Sequence, residues 1–208
     1  KIRGDKMVAL NATPLADIEK DPGLLALARA RGKAVFGDNC APCHGSGGAG
    51  AKGYPNLNDD EWLWGGSLDQ ISQTIAFGAR SGHPKSHEGA MLAFGKDGIL
   101  KKDEIVTVAN YVRSLSGLSA ANDLDVGAGR KIFAENCAAC HGDNAKGNIE
   151  QGAPDLTDKI WLYGSDEKTI IETITNGRSG VMPAWSGRLD PATIKALAVY
   201  VHSLGGGK

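Results

Sequence analysis

Cysteine is scarce in this chain and none of it is spare. All four cysteines fall in two five-residue motifs, Cys40-Ala41-Pro42-Cys43-His44 and Cys137-Ala138-Ala139-Cys140-His141. That leaves no pair for a disulfide between distant segments. Long apolar runs are missing: 41% of the 208 residues are hydrophobic, yet no run approaches the ~20 residues of a membrane-crossing helix. Charge of one sign is missing too. The net charge is −1 and neither half is strongly basic or acidic, so nucleic acid is not expected as a partner. No stretch alternates apolar and polar residues, which argues against strands. Methionine is down to Met7, Met91 and Met182. Lys1 stands first in place of Met, so the sequence reads as a processed piece, with membrane association only through an upstream segment outside it.

Glycine, by contrast, is abundant, at 29 residues. A chain so rich in glycine has many tight turns and irregular loops between its longer elements. The two cysteine motifs recur with an offset of 97 residues, and the likeness extends around them. GKAVFGDNCAPCHG resembles GRKIFAENCAACHG, YPNLNDDEWLWGGS resembles APDLTDKIWLYGS, AFGARSG resembles TNGRSG, and IVTVANYVRSLSG resembles IKALAVYVHSLGG. The chain is therefore read as a lead-in over residues 1–20, one copy over 21–117, a polar linker over 118–127 and a second copy over 128–208.

The fold class expected is all-α with long loops. Asp21-Pro22 predicts a cap and first turn for a helix over 24–36, with a shorter counterpart over 128–134. Ser67 with Gln70 three residues on predicts a capped helix whose Leu68, Ile71 and Ile75 share a face. Ser165 with Ile170, Ile171 and Ile174 predicts its repeat. The last helix of each copy is expected over 102–115 and 191–204. Asp190-Pro191 opens the second of these well, whereas Lys101 is a poor cap, helped by Asp103 and Glu104 near the positive end of the helix dipole.

Two cysteines three apart can each reach one vinyl-derived carbon at the edge of a heme, and the histidine that follows can bind iron from below. Zinc would require a second ligand pair beside each motif, and a redox dithiol would come with a βαβ pattern; the sequence offers neither. Two heme c groups are thus expected, tethered at Cys40 and Cys43 and at Cys137 and Cys140, with His44 and His141 on iron. Met91 and Met182 follow their histidines by 47 and 41 residues. A loop thioether is a soft, neutral ligand that favours iron(II) and raises the potential. Met91 and Met182 are accordingly expected as the second axial ligands, Met91 opposite His44 and Met182 opposite His141.

On these motifs the chain resembles two class I cytochrome c domains in series. With WLWGG and HEGAMLAFG it is similar to the diheme CcoP/FixP subunit (subunit III) of cbb3-type cytochrome c oxidase, over roughly residues 14 to 206. The resemblance implies close crossings of first and last helices at Gly32 with Tyr111 and at Gly129 with Tyr200, with Phe36 and Phe133 packed there. It implies that the carbonyls of Pro55 and Pro154 accept from the axial histidines. Trp62, Trp64, Trp161, Arg80 and Arg178 would line the heme edge or pair with propionates.

The loop SGHPKSHEGAMLAFG adds His83 and His87 beside Met91. Its alignment with GVMPAW at the methionine and at the aromatic that follows (Phe94, Trp185) assigns the ligand role to Met91. The histidines are read as rim residues, solvated or bonded to a propionate, with a swap of His87 for Met91 as the lesser alternative. The function implied is electron transfer, with no catalytic residue in this chain. Electrons would pass from a donor cytochrome c toward the monoheme and catalytic subunits of the oxidase, on the periplasmic side of a bacterial inner membrane. The rivals are a free periplasmic diheme carrier, a diheme peroxidase that would need an open iron position, and a zinc-binding module.

Overall fold

In the computed structural model, which describes residues 2–119 and 126–206, helices carry the fold. Asp21 caps the first long helix, α3 (Pro22–Asn39), its carboxylate accepting from the amides of Gly23 and Leu24, with α1 (Ile2–Ala12) and α2 (Leu15–Ile18) before it. The motif forms its own turn, α4 (Ala41–His44). Ser67 and Gln70 close the expected reciprocal capping box on α5 (Leu68–Phe77), whose Ile71 and Ile75 are buried. The helices that follow are α6 (Lys102–Leu115), α7 (Val126–Asn136), α8 (Ala138–His141), α9 (Glu167–Asn176) and α10 (Pro191–His202). Among the described residues β pairing is limited to isolated bridges, as an all-α reading requires. Most of the linker expected over 118–127 lies outside the described residues.

Two details differ from expectation. The cap of α9 is Asp166, not Ser165; its carboxylate accepts from the Thr169 amide at 2.9 Å. Both residue types cap well, and two such neighbours leave the choice to the loop that precedes them. The lead-in is also not a loose tail. Leu10 and Ile18 are fully buried with Ala28, Ala196 and Val199, and Lys195 Nζ donates to the carbonyls of Asn11 (2.7 Å) and Thr13 (2.6 Å). Nothing in the second copy corresponds to this segment, so the repeat gave it no role.

The compact units regroup the two copies. Unit one comprises Lys1–Glu88 and Gly180–Lys208; unit two is Gly89–Ser179. In unit one α10 packs on α3 and α5, and in unit two α6 packs on α7 and α9. The last helix of each copy thus lies on the first helix of the other. The close crossings follow suit and correct the pairing implied by resemblance. A Cβ on Gly32 would come within 2.3 Å of the Ala196 carbonyl oxygen and 2.5 Å of Tyr200 Cβ, and one on Gly129 within 2.6 Å of Tyr111 Cβ. Phe36 meets Tyr200 at 5.4 Å between ring centroids, and Phe133 meets Tyr111 at 5.5 Å. The physical reason is that α6 and α10 present the same Tyr-Val-x-Ser-Leu face, so either fits either glycine notch. The short connection from Leu115 to Val126 then favours packing between consecutive helices, α6 on α7.

Candidate cofactor sites

Each motif follows directly on a helix, α3 in unit one and α7 in unit two, where the chain turns sharply. Cys40 N bonds back to the Phe36 carbonyl and Cys137 N to that of Phe133, so the helical turn continues into the motif. The first cysteine of each pair is half-buried and the second exposed, and all four are free. Burial, reinforced by the neighbouring cysteine, pushes the Cys40 and Cys137 thiols up to about 11.

The two histidines are held alike. His44 Nδ1 lies 3.0 Å from the Pro55 carbonyl oxygen, and His141 Nδ1 lies 3.0 Å from that of Pro154. A carbonyl can only accept, so Nδ1 carries the proton and Nε2 keeps its lone pair free for a metal. Burial lowers the pKa of His141, and the Pro154 bond opposes that shift.

The methionines are brought to the motifs in the combination opposite to the expected one. In unit one, Met182 packs with Cys40, Ala41, Trp62 and Trp185 around buried Phe36 and Leu197. In unit two, Met91 packs with Cys137, Ala138 and Trp161 around buried Phe133 and Phe94. The loops that carry them are pinned by paired backbone bonds. Ala79 and Met182 exchange N–H···O bonds of 3.0 Å each; Met91 and Arg178 exchange bonds of 2.9 and 3.1 Å. Beside each pair sits a glycine at positive φ, Gly78 at +74° and Gly177 at +68°. A Cβ there would lie 2.3 Å from the Met182 carbonyl oxygen or 2.4 Å from that of Met91.

Comparison with known proteins finds a cytochrome c family on each contiguous copy of the repeat. The family described as "Cytochrome C oxidase, cbb3-type, subunit III" matches residues 125–201, and the family "Cytochrome c" matches residues 29–116. The Cbb3-type cytochrome c oxidase subunit FixP of Bradyrhizobium diazoefficiens is 79% identical over 208 residues, which is 100% of this chain and 72% of that protein. FixP of Azorhizobium caulinodans is 62% identical over 100% of this chain and 70% of its own length. CcoP of Azospirillum brasilense is 53% identical over 97% of this chain and 70% of its own length. The chain belongs to the FixP/CcoP subunit family of cbb3-type oxidases. A FixP/CcoP chain is a subunit of an oxidase complex, and this one has two cytochrome c domains, mostly helical. Among the described residues no helix is long and apolar enough to cross a membrane.

The residues present fit a heme in each unit. Trp62 Nε1 in unit one is buried with no hydrogen-bond partner, beside the cluster that holds Cys40 and Met182. An orphaned donor there is a place for an acceptor such as a propionate. The rim residues read from the sequence are located as follows. Arg80 lies over Trp64 at 5.8 Å and its Nε donates to the Gly180 carbonyl at 2.6 Å. Arg178 lies over Tyr163 at 4.0 Å, and its Nε and Nη2 donate to Thr173 Oγ1 at 3.0 and 2.7 Å. The two additional histidines are engaged. His83 stacks on Phe77 at 4.7 Å, and His87 stacks on Trp64 at 4.3 Å with Nε2 3.0 Å from Thr74 Oγ1. His87 sits in unit one, whereas Met91 belongs to unit two. Sequence reasoning missed Thr74, Thr173 and Tyr163; their conserved offset between the copies was the available signal.

Proposed function

We propose that this chain carries two hemes c and transfers electrons within a cbb3-type oxidase, from a donor cytochrome c toward the monoheme and catalytic subunits, on the periplasmic side of the inner membrane. The observation that carries this reading is the double arrangement of Cys-x-x-Cys-His, a prolyl carbonyl on the histidine Nδ1 and a methionine in the same cluster. Cys40, Cys43, His44 and Met182 would hold one heme; Cys137, Cys140, His141 and Met91 would hold the other. A heme held by these residues would supply one-electron chemistry at iron, which is what a carrier requires.

The chain's own residues serve that role. The Pro55 and Pro154 carbonyls keep each imidazole in one tautomer and orientation. The paired backbone bonds at Ala79–Met182 and Met91–Arg178 hold each thioether in place. Buried Phe36, Ile71 and Ile75 in unit one, and Phe133, Ile170 and Ile174 in unit two, keep water from the interior. Exposed Cys43 and Cys140 leave one edge of each site open to a partner. With a histidine and a methionine both committed to each heme, the residues would suit electron transfer rather than peroxidase chemistry at iron.

The test is replacement of each methionine by alanine in the heme-loaded chain. Met182→Ala is expected to remove the shifted methionine methyl resonance that shows proximity to the heme on Cys40 and Cys43, and Met91→Ala the one near Cys137 and Cys140. Loss in the opposite pairing would return the ligands to the contiguous copies, and persistence of both signals would remove methionine ligation altogether.

A further inference from the structure

The repeat places a threonine and an aromatic ring at equivalent points of the two units, and a different side chain fills the seat between them. Trp64 aligns with Tyr163 and Thr74 with Thr173. In unit two the occupant is Arg178, with its guanidinium 4.0 Å from the Tyr163 ring centroid and both Nε and Nη2 on Thr173 Oγ1. In unit one the occupant is His87, its ring stacked on Trp64 with 9° between the planes and Nε2 3.0 Å from Thr74 Oγ1. Arg80, the sequence counterpart of Arg178, is set off by one additional residue, Ala79, stands at a φ of 51° and turns its Nε to the Gly180 carbonyl. So a permanent cation, with the Glu172 carboxylate 3.6 Å from its Nη2, fills the seat in unit two, and a titratable ring fills it in unit one.

Both seats lie one backbone strand from a methionine. Arg178 is itself bonded to Met91 through the backbone; His87 N donates to the Gly78 carbonyl at 3.1 Å, and the next residue, Ala79, pairs with Met182. We propose that His87 is a redox-linked proton-binding site of unit one: reduction of the iron held by His44 and Met182 is accompanied by proton uptake on the His87 imidazole, while Arg178 gives unit two a fixed charge in the same seat. The proposal rests on the heme ligation proposed above. One electron, from the one-electron donor of that reading, takes iron(III) to iron(II). One proton from solvent adds to a ring nitrogen and makes imidazolium, and no bond between heavy atoms breaks. Lowering the positive charge at iron by one makes a second positive charge nearby less costly.

The surroundings suit this role. Burial first, and the Arg80 charge second, lower the His87 pKa from the ordinary histidine value, which favours the neutral ring. Thr74 from α5 and Trp64 from the loop before it bring no charge. From its own loop, Lys85 lies over Phe77 and His83 stacks on that same ring, and Glu88 follows in the chain.

The experiment is a pH titration of the His87 ring by NMR in the full heme-loaded chain, oxidised and then reduced, with the resonance assigned through His87→Gln. The pKa is expected to be higher in the reduced protein by about half a unit, the scale of a unit charge change across a partly screened distance. The potential of the unit-one heme should fall as pH rises through that range, and His87→Arg should remove the slope and raise the potential. Equal His87 pKa values in the two oxidation states, or a slope that survives in His87→Gln, would overturn the proposal. Failure of the ligation reading shows separately, as a missing shifted methionine methyl resonance in the reduced protein.

Discussion

Unit one and unit two are built from the same repeat, yet they differ in how continuous their chain is. Unit two is a single stretch, Gly89–Ser179, whereas unit one is closed by a segment from the far end, Gly180–Lys208. Unit one also carries a docked lead-in and a histidine where unit two has an arginine. The comparison teaches that sequence repeat and packing unit are separable when the exchanged elements are near-duplicates. Helices α6 and α10 offer equivalent tyrosines to equivalent glycines, and connection length then selects the partner.

The largest effect should come from filling the helix notches. Gly32→Val and Gly129→Val place atoms where backbone already stands within 2.3 and 2.9 Å, and each should destabilise its own unit by about 3 kcal/mol. Thermal melts that follow each heme's absorbance would check this; a melt in which Gly32→Val unfolds only unit two would break the assignment. Next come the two glycines that end α5 and α9. Gly78→Ala and Gly177→Ala combine a left-handed φ with a clash on a methionine carbonyl, and should cost about 2 kcal/mol each. Gly78→Ala should weaken the Met182 signal and leave that of Met91, as read by NMR of the methionine methyls. A double-mutant cycle is sharper though smaller: Phe36→Leu with Tyr200→Leu should couple by about 1 kcal/mol, and Phe36→Leu with Tyr111→Leu by about zero. The smallest effect is at the cap of α10. Thr193 hydrogen bonds hold the Asp190 carboxyl below its ordinary value of 3.8, so the stability it adds is present above that value and declines as pH falls through the lower folded value. Asp190→Asn should keep the cap and flatten acid denaturation there, measured by far-UV circular dichroism.

Much of this was legible in the residues. Asp21, Ser67 and Asp190 announce their helices because capping is local chemistry, and the structure uses all three. The roles of Pro55 and Pro154 as histidine partners came from the family resemblance, and the structure places both carbonyls 3.0 Å from the imidazoles although their separations in sequence differ, 11 and 13 residues. The pairing of methionine with motif was not legible, since it depends on which of two similar helices docks where. Nor was the seat of His87, which requires Trp64 and Thr74 to meet across a loop with no counterpart. The packing of Leu10 and Ile18 was hidden for a plainer reason: a segment without a repeat partner has no internal comparison.

The discontinuity of unit one has a consequence for the order of events during synthesis. Cys40, Cys43 and His44 precede Met182 and α10 in the chain, with the whole of Gly89–Ser179 between them. Unit one therefore cannot close before the stretch that forms unit two has been made, and contacts of such sequence separation slow its closure. Until that distant segment docks, the cluster around Phe36 lacks Met182 and Leu197, while the cluster around Phe133 already has all its members.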